Sequence, residues 1–288
     1  MPYITLENDK LKVTISSFGA EMQSLFGKAD ATEYLWQGNP KFWGRRAPHL
    51  FPIIGGLKDG RFVYDSQPYE MGNHGFARDS EFTVESLSAT KAVFTLCERK
   101  ENYPFDYLLR ITYTLKRNRL KITYTVKNKG KRKLYFSVGG HPAFACPINP
   151  ALKYSDYFIE FEKEENPKQP LIQNDLVDGY RILPIQNRRI SLLNSLFTQD
   201  ALIIERPNSK KFRLRTSKDG RQIEMKIKNF DFMAFWSKPT DGADFICFEP
   251  WCGIDDKADG PRPFESKWKI HCLKSGKTFR CAYSITAT

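Results

Sequence analysis

One histidine stands in a setting that suits proton transfer. The chain has four histidines in 288 residues, and His141 follows a strand-like run, 134–138, and two glycines, Gly139 and Gly140. Glycine allows close backbone approaches that a side chain would prevent, and Pro142 lacks the N–H that a central strand needs. We therefore expect His141 at a strand end beside an opening, where an imidazole can transfer protons near neutral pH. A hydrogen-bonded structural histidine in a turn explains the segment 139–144 equally well.

A carboxylate at the end of an apolar run supplies a complementary group. Glu249 follows the apolar residues 245–248 and precedes Pro250, which we expect to stop the strand. A carboxylate there is costly to bury unpaired, so it is either functional or half of a structural ion pair. Trp251 offers a flat apolar face on which a sugar ring could stack, and it is equally well explained as a core residue.

Two further polar residues are candidates. His74 follows the strand-like segment 67–71 and precedes Gly75, so it too lies at a predicted strand end. Read alone, it is more typical of a turn histidine. Asp200 could accept hydrogen bonds from hydroxyl groups, although its residue context by itself favours a turn or helix-end aspartate.

The remaining candidates are arginines. Arg45 and Arg46 lie among aromatic residues and prolines, where forked guanidinium groups could hold a polyol or an anion. A surface pair on an edge strand is the alternative. Arg78 is a further cation that could hold a phosphate group. His49 and His271 have no comparable setting, and we interpret both as structural.

Strands must position these residues, because the dominant hydrophobic period is two. Segments 108–116 and 120–127 predict a hairpin around 117–119, with Leu120, Ile122, Tyr124 and Val126 on its buried face and Lys121, Thr123, Thr125 and Lys127 opposite. A second hairpin is predicted from 60–64 and 67–71. Further strands are predicted at 11–16, 82–87, 92–97, 158–161, 201–205, 212–216, 223–228, 233–237, 245–249, 268–273 and 279–285.

Little else interrupts this pattern. Residues 191–197 predict one or two helical turns, and the polar stretch 166–189 is expected to be an irregular surface excursion. Strands at short spacing joined by Gly, Asn and Asp turns predict an antiparallel sandwich or barrel. Sandwiches of this length often form one domain, so we expect residues 1–288 to be a single domain.

Composition and charge limit the classes of partner that we expect this chain to bind. The chain carries 45 Lys and Arg against 33 Asp and Glu, a net charge of +12, but the cations are scattered, so nucleic-acid binding is not expected. No apolar run suits a membrane span, and the N-terminus has no signal pattern. The six cysteines form no CxxC pair. We therefore expect a cytoplasmic protein with reduced thiols and no membrane contact.

Four motifs, in order, together resemble the aldose 1-epimerase (galactose mutarotase-like) family, and most closely its LacX-like branch. The resemblance extends from residues 6–19 to the final strands. The motifs are Trp43-Gly-Arg-Arg-Ala-Pro-His-Leu-Phe-Pro52, Asn73-His-Gly-Phe-Ala-Arg78, Gly140-His-Pro-Ala-Phe144 and Phe248-Glu-Pro-Trp-Cys-Gly253.

The resemblance implies an all-β protein with a large antiparallel β-sandwich, the galactose mutarotase-like supersandwich, and a sugar across one concave sheet. It makes Glu249 the catalytic carboxylate, His141 the general acid and His74 the second histidine. It places the substrate-orienting arginine at Arg45, with Arg46 open because the alignment can slip by one. The hydroxyl-binding aspartate falls on Asp200.

One departure concerns specificity. Galactose mutarotases continue the second histidine motif into a Tyr-Phe-Asn-Leu run, whereas this chain has Pro-Ala-Phe, so the substrate does not carry over. We predict a mutarotase for an aldose or an aldose phosphate that needs no cofactor and no metal. The alternatives are a sugar-binding or sugar-sensing protein without efficient catalysis, and a cupin-like His/His/Glu metal enzyme, which the absence of a His-x-His pair disfavours. The oligomeric state is open.

Overall fold

The structure is a computed structural model that describes residues 3–260 and 262–288. Within these ranges the chain is almost entirely β-strand. The strands, in chain order, are β1 Tyr3–Glu7, β2 Leu11–Ser16, β3 Met22–Gly27, β4 Thr32–Glu33, β5 His49–Leu50, β6 Arg61–Tyr64, β7 Gln67–Glu70, β8 Thr83–Ser88, β9 Lys91–Leu96, β10 Tyr107–Lys116, β11 Arg119–Asn128, β12 Leu134–Phe136, β13 Val138–Gly140, β14 Ala143–Ala145, β15 Tyr157–Phe161, β16 Lys168–Gln173, β17 Leu176–Ile182, β18 Arg189–Ser191, β19 Leu202–Glu205, β20 Lys211–Thr216, β21 Ile223–Lys228, β22 Phe232–Trp236, β23 Phe245–Cys252, β24 His271–Leu273 and β25 Thr278–Ala287.

The helical elements of the described residues are short 3₁₀ turns. They comprise Lys58–Gly60, Ala77–Asp79, Tyr154–Asp156, Asn194–Phe197 and Phe264–Ser266. None of the helices found in the described part of the chain is long and apolar enough to cross a membrane.

A nine-stranded antiparallel sheet forms one layer, in the order β18-β15-β20-β21-β25-β11-β10-β9-β8. It contains the β10–β11 hairpin, which was predicted. The turn has two residues rather than three, because Arg119 already pairs with Lys116. Arg117 at the turn has a φ of +53°, as two-residue hairpins require. Thr125, expected on the wet face, is buried, because its cross-strand partners are long arginines of β10 and β25.

The second layer is a six-stranded sheet that carries the candidate site. Its order is β19-β22-β23-β13-β5, and β14 pairs with β23 beside it. One hydrophobic core joins the two layers, since Phe94 and Ile111 of the large sheet share it with Phe144, Phe235 and Phe248 of the second. The predicted antiparallel β-sandwich is confirmed.

The prediction that Pro250 stops a strand is wrong, because β23 continues to Cys252. On one side, β23 pairs with β14 up to Cys247 and with β13 from Trp251 onward. The Phe248 amide, two residues earlier, donates to this same side, at the Pro142 carbonyl. Residue 250 therefore lies where the neighbouring strand changes, so its missing N–H costs no ladder bond.

The segment 166–189 is also more regular than predicted. It forms the β16–β17 hairpin, and β18 joins the edge of the nine-stranded sheet. Its polarity reflects exposure of much of the hairpin, including most of β17. The predicted helical turns at 191–197 reduce to the 3₁₀ turn Asn194–Phe197, and the strand predicted at 268–273 begins only at His271.

Candidate active site

A cavity of about 260 Å³ opens on the six-stranded sheet. It is walled by strand β23, the segment after β13, the loop after β7 and the β16–β17 hairpin. His141, Glu249 and His74, which are far apart in sequence, all line this cavity.

The closest pair in the cavity is His141 and Glu249. Nε2 of His141 lies 3.1 Å from Oε2 of Glu249, and the two side chains are 9% and 1% exposed. The approach is too bent for a hydrogen bond. Both carboxyl oxygens of Glu249 and Nδ1 of His141 have no hydrogen-bond partner among residues 3–260 and 262–288. Buried polar atoms are normally paired, so these atoms have unused capacity for a ligand.

Two glycines bring the strand before His141 close to its neighbours. A Cβ on Gly139 would come within 2.9 Å of the Pro250 carbonyl oxygen and of the Trp251 ring. A Cβ on Gly140 would lie 2.8 Å from the hydroxyl oxygen of Tyr124. His141 lies directly after β13, at the strand end that its sequence setting predicted, and β13 pairs with the part of β23 that follows Glu249.

Burial governs the protonation of both groups. It raises the pKa of Glu249 well above its usual range, and the charges of Asp200 and Asp255 raise it further. The indole N–H of Trp251 acts in the opposite direction. Burial also lowers the pKa of His141 to about 3. Burial therefore favours the neutral form of both groups, because loss of water disfavours each charged form.

His74 is held in one tautomer. Its Nδ1 accepts a hydrogen bond from the Gly55 amide at 3.0 Å, and its own amide donates to the Gly55 carbonyl at 3.0 Å. An accepting Nδ1 places the proton of the neutral ring on Nε2. Burial, with the nearby charge of His141 as a second cause, lowers the pKa of His74 well below 6.5. His74 is thus a neutral donor whose ring centre lies 5.7 Å from that of His141.

The three candidate arginines occupy different places. Arg78 lines the cavity, and its Nη2 donates to the Asn73 carbonyl at 2.7 Å. Arg45 lies beside the site and donates to Asp79 at 2.8 Å. Its charge nevertheless helps to lower the pKa of His141. Arg46 points elsewhere, because its Nη1 donates to the Gln23 carbonyl at 2.8 Å.

Carboxylates other than Glu249 also line the cavity. They are Asp175, Asp200 and Asp255. Burial raises the pKa of Asp200. It also raises that of Asp255, to about 7, and Asp255 accepts from the Gly56 amide at 2.9 Å. Asp175 was missed from sequence because its segment was predicted to be irregular. Asp255 lies two residues after the end of the Glu249 motif, and that proximity was the available signal.

Aromatic rings form the apolar part of the wall. Trp251 lines the cavity, as do Trp43 and Trp236, which were not predicted. Trp43 stacks on the His141 ring with centroids 4.8 Å apart. Indole faces of this kind suit the C–H face of a sugar.

The other two histidines are structural in their contacts. His49 is buried and bonded to the hydroxyl groups of Tyr124 and Tyr113 at 2.6 and 2.7 Å. His271 bonds to Asp231 at 2.6 Å. A cupin-like metal centre would use His74 as a ligand. The potential metal ligands that lie close together at this site are instead His141, Cys247 and Glu249.

Comparison with known proteins places this chain in a family. The family model described as aldose 1-epimerase matches residues 2–286. The chain belongs to the aldose 1-epimerase family. Protein LacX (plasmid) of Lactococcus lactis subsp. lactis is 32% identical over 296 residues, covering 98% of each chain.

Solved structures of the same fold agree with this membership. A galactose mutarotase related enzyme from Lactobacillus acidophilus is 34% identical with a TM-score of 0.95, covering 100% of this chain and 97% of that one. A galactose mutarotase-like protein from Lactobacillus casei ATCC 334 is 32% identical with a TM-score of 0.93, covering 100% of both. The sandwich of this aldose 1-epimerase family member is therefore galactose mutarotase-like.

Proposed function

We propose that this protein is an aldose 1-epimerase that interconverts the α and β anomers of a free aldose. The observation that carries the proposal is the adjacent pair Glu249 and His141, buried in a cavity where both Glu249 oxygens and Nδ1 of His141 have no hydrogen-bond partner among the described residues. The cavity volume, about 260 Å³, lies just below the ~300–1,000 Å³ of pockets for drug-sized ligands. It suits one monosaccharide.

The proton transfers follow from the pair. Glu249 as a carboxylate takes the proton of the C1 hydroxyl, and His141 as an imidazolium gives a proton to the ring oxygen. The C1–O5 bond breaks, the open-chain aldehyde rotates about C1–C2, and the reverse transfers close the ring on the other face. Nε2–H of His74 donates to the ring oxygen or to a neighbouring hydroxyl. No oxidation state changes and no co-substrate is consumed.

The cavity charge favours an uncharged sugar. Four carboxyl groups line it, from Asp175, Asp200, Glu249 and Asp255, against the single cation Arg78 among the described residues. Hydroxyl groups can hydrogen-bond to carboxyl groups in either protonation state, whereas a phosphate dianion would be repelled by those that are ionised. The guanidinium of Arg78 is also already bonded to Asn73 and lies 3.5 Å from Asp79. A free aldose is therefore the better candidate, and an aldose phosphate is the alternative.

The test is anomeric exchange measured by NMR or polarimetry on a panel of free aldoses. We expect acceleration over buffer that disappears in Glu249→Gln. A folded wild-type protein that binds a sugar by calorimetry without accelerating exchange would instead support the sugar-binding alternative. A folded protein that neither binds any aldose nor accelerates its anomeric exchange would refute both the epimerase proposal and the sugar-binding alternative.

A further inference from the structure

A second group of potential metal ligands lies outside the cavity. Asp231, Cys252 and His271 each present one donor atom, and the three atoms lie within 4.8 Å of one another. Asp231 immediately precedes β22, Cys252 ends β23 and His271 begins β24. The protein thus brings an oxygen, a sulfur and a nitrogen donor together from three separate strands.

We propose that Asp231, Cys252 and His271 bind one zinc ion, with a water molecule as the fourth ligand. Carboxylate, thiolate and imidazole are the ligands that zinc takes in proteins, and a tetrahedral site can hold three of them and a water. Cys252 is free and buried, and its thiol donates to the Asn229 carbonyl at 3.2 Å.

The distance between the two partly exposed donors needs only a small adjustment. Nε2 of His271 and Oδ2 of Asp231 are 2.6 Å apart. Ligands about 2.0 Å from a tetrahedral zinc ion lie about 3.3 Å from each other, so this pair must open by less than about 1 Å. Room exists for that movement, because the side chains of His271 and Asp231 are 24% and 40% exposed. The same exposure gives the ion a path to the buried thiol of Cys252.

The surroundings favour a structural role for the ion. The His271 ring packs against Phe136 and Phe279 at centroid distances of 5.7 and 4.8 Å, which holds its direction. Cys252 lies three residues after Glu249 on β23. A bound ion would tie the end of β23 to β24 and to the residue that precedes β22, and would stabilise the fold without touching the cavity. This inference is independent of the proposed function.

Cobalt is the probe that tests the proposal. The full chain, reduced and treated with a chelator, is titrated with Co²⁺, which gives a thiolate charge-transfer band and strong visible bands when tetrahedral. We expect saturation at one equivalent, displacement by Zn²⁺, and a rise in Tm with Zn²⁺. His271→Gln and Cys252→Ser should weaken binding by more than the ~10–100-fold that follows loss of an outer partner of a ligand.

Two control variants make the result specific. Cys272→Ser removes an exposed thiol next to His271 and should leave the bands intact. Cys247→Ser disables the separate donor group of the cavity and should also leave them intact. If Cys252→Ser does not fold, Asp231→Asn and His271→Gln, at partly exposed positions, carry the test. No thiolate band, a band unchanged in His271→Gln, or a band lost in Cys247→Ser would overturn the site.

Discussion

Burial favours the proton count that the proposed anomerisation needs in Glu249 and His141. With ordinary pKa values both groups would be largely deprotonated at neutral pH. Here the pKa of Glu249 is raised and that of His141 is lowered, which favours a state in which Glu249 carries the single proton of the pair. The neutral pair and the ion pair contain the same number of protons and differ only in which group carries the proton. The form that the proposed mechanism uses therefore needs no additional proton from solvent.

The first prediction concerns the roles of single residues. Glu249→Gln and His141→Asn should each lower kcat by ~10²–10⁴-fold, because each removes one partner of a proton transfer. The double variant should lose little more than either single variant, since the two groups act as a unit. His74→Asn should have a smaller effect, shared between kcat and KM. Anomeric exchange by NMR measures the rates, and circular dichroism checks the fold. Wild-type turnover by a folded Glu249→Gln variant would contradict the proposed mechanism.

The second prediction concerns pH. The pair gains a second proton only at acid pH, and it loses its single proton above the raised pKa of Glu249, so kcat/KM should be bell-shaped. Asp255→Asn removes a charge that raises this pKa, so the alkaline limb should move to lower pH. Trp251→Phe removes an N–H that lowers it, so the limb should move to higher pH. Because these values belong to the pair, the measurement is the shift between variants.

His74→Gln is the control for the pH profiles. Its imidazole is neutral over the pH range of the alkaline limb, since burial lowers its pKa well below 6.5. The alkaline limb should therefore stay in place in this variant. A limb that follows His74 would mean that the two histidines have exchanged roles.

The third prediction separates catalysis from metal binding. His141, Cys247 and Glu249 are close enough to hold an ion, yet the proposed proton transfers run on protein groups alone. We expect a chelator to leave kcat unchanged while it removes any zinc bound near Cys252. Loss of turnover on chelation, restored by one equivalent of metal, would favour a metal enzyme.

At the scale of elements, the loop containing Gly55 connects two parts of the site. Gly55 has a φ of +64°, and a Cβ there would lie 1.7 Å from Oδ1 of Asp255. Its amide also fixes the His74 ring. One glycine therefore allows a carboxyl group and an imidazole to approach the cavity together.

The fourth prediction follows from this contact. Gly55→Ala should displace Asp255 and His74, lower kcat/KM and destabilise the fold by more than about 1 kcal/mol. Gly60→Ala is the matched control, because Gly60 has a φ of +66° and a Cβ added there would have no atom within 4 Å. Denaturant unfolding measures the free energy of unfolding of both variants. Because both glycines have a positive φ, the difference between the variants gives the cost of the steric clash at Gly55. Equal destabilisation and unchanged activity in both would contradict this role of Gly55.

The elements that sequence could predict are those with local patterns. The β10–β11 hairpin was predicted because alternation and a tight turn lie within about 20 residues. Strand β3 was missed because its burial does not alternate regularly. The prediction for Pro250 was wrong because a proline is tolerated within β23 only where the neighbouring strand changes. That change of neighbour is a non-local property. For the same reason Asp175 could not be assigned to the site, since a hairpin with no chemical motif carries it there.

At the scale of the whole molecule, we propose that the chain is one domain. The main hydrophobic core includes residues from Ile4 to Ala287. The strands on either side of the cavity come from distant parts of the chain. The proposed catalytic groups are therefore positioned by the complete sandwich and not by any one segment.

Net charge and local charge point in opposite directions. The chain has a formal charge of +12, yet the cavity is lined mainly by carboxyl groups. The overall field would draw an anion toward the protein, whereas the cavity would reject it. Short-range repulsion in a partly buried site is screened less by salt than attraction across the surface.

The last prediction uses this opposition to identify the substrate class. A free hexose should be converted with a higher kcat/KM than its 6-phosphate, because the dianion must enter beside Asp175, Asp200 and Asp255. Asp175→Asn should raise kcat/KM for the 6-phosphate and so reduce the difference in kcat/KM between the two substrates. Asp178 is an exposed residue outside the cavity, so Asp178→Asn should not change this difference. NMR exchange rates at two ionic strengths measure both effects. A much lower KM for the 6-phosphate, rising with salt, would instead assign Arg78 to phosphate binding and make an aldose phosphate the substrate.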